Sequence, residues 1–320
     1  MKLLNSISAI FFLFISNFYC FAQLNVARKP VLISEQWQIC TMPDLGKLNG
    51  PVPQKQHIVD HGFIMADNGK WQLWACIRGT AVSRLLYKWE GESLEKGPWE
   101  AKGIVRAEEK YGEQVRIRDG QRTETMGAPF FMKENSKYYC FYHSAGFRLM
   151  ESDNGIDFHR SLDDNGSNLL YPDGGRDIMV LKIGDMYYGY STITTKNNSG
   201  QLISYVNLKT SDDLRHWNGN KIVCQGGKES AGGVAFESPF VVHLDGYFYL
   251  FRASSTTFKT YVYRSIDPTY FANNDDSNLI TEFDLKAPEV FEYEGQWYIS
   301  DLSDFQGIKL AKLEWVKDEN

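Results

Sequence analysis

The sequence predicts an all-β fold, a five-bladed β-propeller in a single domain, on three observations. One hairpin unit recurs five times, its outer half recurs with it, and no long segment carries a helical period. Repeats of about 50 residues with four short strands each are the pattern of propeller blades. Composition agrees, with 14% aromatic residues including 20 Phe and 18 Tyr, side chains that pack well on pleated sheets.

Residues 1–22 read as a secretory signal: Lys2, an apolar run over 7–18, and Cys20-Phe21-Ala22 as a small-x-small cleavage site. The apolar run is short for a membrane span. Tyr19 fits a lipidated Cys20 poorly, so a periplasmic or secreted chain is expected, with no integral membrane segment after cleavage. The propeller is then expected over residues 23–320, after a polar approach segment at 23–56.

The first hairpin joins residues 59–66 and 71–78 through Asp67-Asn68-Gly69-Lys70. The second joins 127–132 and 138–143, and the third joins 176–181 and 186–191 through Gly184-Asp185. The fourth opens at Glu237 and turns at Asp245-Gly246 into residues 247–252. The fifth joins 287–291 and 296–301 through Glu294-Gly295. Asp-Gly and its relatives between apolar runs are strong hairpin signals. Outside each hairpin a third strand and an aromatic-led fourth recur, as in residues 149–158 and 208–217. Residues 307–315 form a late strand that completes a blade.

In such a blade the first strand lines the central channel, so starts of first strands meet ends of second strands at one mouth. Aligning Gly62, Pro129, Met179, Pro239 and Pro288 puts Asp60, Gly127, Asp177, Glu237 and Lys286 in one column. Three carboxyls brought together do not all ionise alike, so one can stay protonated as an acid while another acts as a base. Two carboxyls flanking a glycosidic bond are what glycoside hydrolysis requires.

With an Asp opening blade one, an Asp in blade three and a Glu in blade four, the chain resembles the five-bladed glycosidases of families 43 and 32 and their relatives. Its Ser211-Asp212-Asp213-Leu214-Arg215-His216-Trp217 turn also resembles one common in those proteins. The resemblance implies an exo-acting hydrolase of plant or algal oligo- or polysaccharide, releasing an arabinofuranose- or xylose-type sugar. It implies Glu237 as general acid, Asp60 as general base or nucleophile, and Asp177 as the residue that holds the sugar and tunes the acid. Arg176-Asp177 echoes the Arg-Asp-Pro of family 32, but Ile178 replaces the proline and the family 32 nucleophile motif is absent, which favours the inverting scheme of family 43. Phe236 stands where family 117 anhydro-galactosidases carry a histidine. A retaining β-fructofuranosidase-like or anhydro-galactosidase-like hydrolase, and a non-catalytic carbohydrate-binding propeller, remain as alternatives.

Further candidates for substrate contact are Arg78, His143, Arg176 and Arg252 at the rim, with Glu289, His61 and Trp74 nearby. For Trp74 core packing, and for Cys76 and Cys140 burial as small hydrophobes, are the stronger readings. Cys40, Cys76, Cys140 and Cys224 lack zinc spacing and cannot be paired into disulfides from sequence. No cofactor is expected, with a structural calcium in the central channel left open. The net charge of −6 argues against a nucleic-acid partner.

Overall fold

The computed structural model describes residues 26–172 and 175–319. The expected signal segment, with Cys20, lies outside the described residues. Among the described residues the regular structure is β-strand with short 3-10 turns, and no helix is long and apolar enough to cross a membrane.

The strands form five sheets that follow one another along the chain. The first contains His57–Met65, Trp71–Thr80, Ser83–Gly91 and Glu100–Val105, and adds a small hairpin, Gln114–Arg118 with Gln121–Thr125. The second begins with Gly127–Glu134, Lys137–His143 and Phe147–Ser152. The third contains Arg176–Ile183, Met186–Lys196, Leu202–Ser211 and Asn218–Gln225. The fourth contains Glu237–Leu244, Tyr247–Ser254, Lys259–Ser265 and Leu279–Phe283. The fifth contains Val290–Tyr293, Gln296–Asp301 and Gly307–Lys317.

One expectation needs correction. The approach segment is not merely polar lead-in: Arg28–Leu32 and Trp37–Thr41 both pair antiparallel with Gly307–Lys317 and complete the fifth sheet. Alternation in this stretch is too short to read as strand, and its partner lies at the other end of the chain. Residues 108–125, which connect the first predicted hairpin unit to the second, form a 3-10 turn and the small hairpin of the first sheet. Arg148 anchors the turn by donating to the carbonyl of Tyr111 at 2.8 Å and to that of Gly112.

Apolar side chains fill the spaces between successive sheets. Trp74, Cys76, Phe131 and Cys140 pack the first sheet on the second. Phe141, Tyr190, Leu208, Val241 and Leu250 join the second, third and fourth. Phe251, Val262, Ile299 and Leu313 join the fourth to the fifth, and Tyr298, Ile308 and Leu310 pack on Leu73 and Trp89 of the first. Each such side chain contributes about 1.5–3 kcal/mol by leaving water. The packing therefore runs cyclically, and the first strands gather at its centre, where that of the second sheet touches those of the first and third. All four described cysteines are buried and free. Burial pushes the thiols of Cys40, Cys76 and Cys224 up to about 12, so they behave as apolar packing groups.

Candidate active site

The site is built from a backbone feature repeated in every sheet. One residue within or just before each first strand takes a left-handed conformation: Asp60 (φ 43°), Ala128 (φ 49°), Asp177 (φ 57°), Ser238 (φ 46°) and Ala287 (φ 48°). The strand ladder breaks register at this point in the first four sheets. An L-residue there costs about 1–2 kcal/mol, and such bulges re-aim side chains. The five strands are thus equivalent one residue away from the sequence alignment at two places. His61 and Ile178, rather than Gly62 and Met179, stand level with Pro129, Pro239 and Pro288. Asp60 and Asp177 occupy the left-handed position, whereas Glu237 precedes it by one.

Despite this shift, all five residues of the predicted column line one pocket of about 280 Å³. Arg78, Arg84, His143, Arg176, Ser238, Ser255, Phe258 and Phe305 share its wall. Ser238 ties two carboxyls together, its hydroxyl donating to Asp60 Oδ1 at 3.3 Å and its backbone N–H to Asp177 Oδ2 at 3.2 Å. Arg176 ties the third, with Nη2 3.0 Å from Glu237 Oε1 and Nε 3.6 Å from Asp177 Oδ2. Arg176 is itself fixed by Thr194 Oγ1 at 2.7 Å and the Gly233 carbonyl at 3.0 Å. Ser255 donates to the other oxygen of Glu237.

Burial, then the charges of Asp177 and Glu237, push the Asp60 carboxyl up to about 8, against the pull of Arg84 and Arg176. Asp177 is raised by burial, with Arg176 opposing. Glu237 is raised by burial and by Asp177, opposed by Ser255 and Arg176. The three titrate as a set that keeps a proton at neutral pH. His143 is pushed down to about 4 by burial and by Arg84, Arg148 and Arg176, so it faces the pocket neutral. Arg78 Nη2 lies 3.2 Å from His57 Nδ1, which accepts, while His57 Nε2 faces the Gln54 carbonyl at 3.1 Å.

Four predicted contacts lie elsewhere. Arg252 is fully buried, with its guanidinium 4.2 Å from the Phe236 ring centre and 4.3 Å from that of Tyr261. It donates to the Ala235 carbonyl at 2.7 Å and the Lys228 carbonyl at 3.0 Å. The second strand runs on to Ser254, so Ser255 rather than Arg252 reaches the rim. Trp74 packs edge-on against Phe131 and Phe158 at 5.4 and 5.3 Å, inside the core. His61 and Glu289 line a narrower cavity in the channel beneath the pocket. His61 Nε2 lies 2.7 Å from Ser300 Oγ, and burial pushes its imidazole down to about 3. Glu289 accepts from the Phe63 N–H at 3.2 Å and is held well above the usual carboxyl range by burial.

Sequence reasoning missed Ser238, Ser255, Thr194 and Arg84 as site residues. Ser238 was legible, since it follows Glu237 directly before a proline; Arg84 is the second residue of a third strand, away from the first-strand starts and second-strand ends that mark the rim in sequence. Among the described residues no group of three or more His, Cys, Asp or Glu is arranged to hold a metal ion.

No known family profile matches the chain, and no curated protein matches it. Solved structures do. One is a thermostable family-43 glycoside hydrolase, at 18% identity and a TM-score of 0.60, covering 88% of this chain and 94% of that one. Another is a family-43 β-xylosidase/α-arabinofuranosidase from a compost microbial metagenome, in complex with xylotriose and calcium-free; identity is 16%, TM-score 0.56, coverage 83% and 94%. A third is a family 117 glycoside hydrolase from the marine bacterium Zobellia galactanivorans, at 11% identity and a TM-score of 0.57, covering 91% of each chain. The chain is thus similar in fold, over most of its length, to the β-propeller glycoside hydrolases of families 43 and 117.

Proposed function

We propose that this chain is a secreted exo-acting glycoside hydrolase, built as a five-bladed β-propeller, that releases a terminal arabinofuranose- or xylose-type sugar with inversion. The observation that carries the reading is the meeting of Asp60, Asp177 and Glu237, from three different sheets, in one pocket. The cyclic packing of five sheets supports the architecture, and the names of the neighbours support the chemistry.

In this scheme Glu237 protonates the leaving glycosidic oxygen as the bond from that oxygen to the anomeric carbon breaks. Asp60 takes a proton from water, whose oxygen attacks the same carbon from the opposite face. Asp177 and Arg176 hold the acid in place and set its proton affinity. In the free pocket Asp60 is the carboxyl pushed up to about 8. The reactive form carries the proton on Glu237 instead, an isomer of equal charge that the substrate's leaving oxygen selects by accepting from it.

The test is a panel of aryl glycosides and oligosaccharides with wild type, Glu237→Gln and Asp60→Asn, following the released anomer by NMR. Expected is an inverted product, with both variants slowed at least about a thousandfold on unactivated substrates. Full hydrolysis by Glu237→Gln would remove the acid, and a retained anomer would remove the inverting scheme.

A further inference from the structure

The pocket holds more positive charge than its three carboxyls require. Arg78, Arg84, Arg176 and Lys286 line it, and Asp60, Asp177 and Glu237 are the carboxyls among its lining residues. Arg176 is engaged by Asp177 and Glu237. Lys286 meets Asp304 at 3.1 Å, but that carboxylate is 90% exposed and water screens it. Arg78 and Arg84 have no carboxylate within ion-pair distance among the described residues; Arg78 donates to His57 Nδ1 at 3.2 Å.

Arg78 and Arg84 are also direct cross-strand partners in the antiparallel ladder of Trp71–Thr80 with Ser83–Gly91. Like charges placed opposite each other weaken a sheet. Long-range attraction to Asp60 and Asp177 offsets part of this for Arg84. It does not neutralise the pocket, because an acid–base pair at work keeps one carboxyl protonated, leaving two negative groups against four positive ones. Guanidinium groups present paired N–H donors that match planar or tetrahedral oxyanions.

We infer that Arg78 and Arg84 form an anion subsite, and that the substrate is an acidic saccharide bearing a carboxylate or sulfate ester on the terminal sugar or next to it. The inference rests on the glycosidase reading for its substrate but not for its test, which is binding alone. Affinities of the wild-type chain for methyl glucuronide, galactose 6-sulfate, methyl xyloside and inorganic sulfate would be measured by calorimetry at low and moderate salt. Arg84→Met, Arg78→Met and the charge-keeping Arg84→Lys would follow, each checked for native circular dichroism.

At least one anionic sugar is expected to bind at least about tenfold tighter than the xyloside, more weakly as salt rises. Arg84→Met should lose about tenfold of that affinity, Arg84→Lys should recover part of it, and the preference for the anionic sugar over the xyloside should narrow. Preference for the glucuronide or for the sulfated sugar identifies the carboxylate or the sulfate ester as the recognised group. Equal affinity for the neutral xyloside, no effect of Arg84→Met, or binding of inorganic sulfate as tight as either sugar (an adventitious ion only) overturns the inference. Failure of the glycosidase reading would show separately, as undiminished hydrolysis by Glu237→Gln.

Discussion

Ser238 serves two carboxyls at once, through its hydroxyl to Asp60 and its backbone N–H to Asp177. Removing the hydroxyl in Ser238→Ala leaves the second contact intact and takes from Asp60 a hydrogen bond that favours its ionised form. Hydrogen bonds to charged groups contribute about 1.5–3 kcal/mol, so kcat/KM is expected to fall about tenfold or more. Its acidic limb should move to higher pH, and a pH–rate profile checks both. In the wild type all three carboxyls are raised. The bell of kcat/KM should therefore lie above the usual carboxyl range, its limbs reaching toward 8; an optimum at pH 4 would contradict this. Glu289 gives a stability prediction at the same scale. Its carboxyl is held neutral far above the unfolded value near 4.5, so its contribution is fully present below that value and is lost as pH rises toward the folded one. Glu289→Gln should then raise the unfolding midpoint at pH 8 more than at pH 4, at about 2–4 °C per kcal/mol, read by a thermal melt.

At the scale of the element, the left-handed residue at each first strand, with a register break in the first four sheets, decides which side chains face the pocket. The column of Asp60, Asp177 and Glu237 was legible because strand heads carry prolines at 129, 239 and 288 and acids just before or beside them. The one-residue offset was not legible, since alternation alone cannot report a left-handed residue inside a strand. The same blindness misplaced Arg252: counting to the apparent end of the second strand put it at the rim, where Ser255 stands. Arg252 instead clamps the backbone over Lys228 and Ala235, just ahead of Glu237. Arg252→Met would leave those carbonyls unpaired, costing about 2–4 kcal/mol. Activity should fall with it, measured by denaturant unfolding and by kcat on one substrate. Ala128→Gly and Ala287→Gly, by contrast, relieve left-handed strain outside the acidic trio, and each is expected to be neutral or to stabilise by up to about 1 kcal/mol.

For the whole molecule, architecture was read from repetition: five hairpins with turns such as Asp245-Gly246 forecast five sheets. What repetition could not show was closure, because Arg28–Leu32 and Trp37–Thr41 carry no hairpin signal of their own. They pair with Gly307–Lys317 on the fifth sheet. Deleting residues 26–42 should expose that strand as an open edge and yield aggregation-prone, inactive protein, measured by size-exclusion chromatography and activity.

That closure also orders events during synthesis. Lys286 and Ala287, which line the pocket together with Asp60, lead into a sheet whose strand Gly307–Lys317 is made long after its mates Arg28–Leu32 and Trp37–Thr41. A growing polypeptide can therefore assemble four sheets on the ribosome and still lack a finished cleft. The fifth sheet is complete only when Gly307–Lys317 arrives to meet a partner that has waited through some 270 intervening residues.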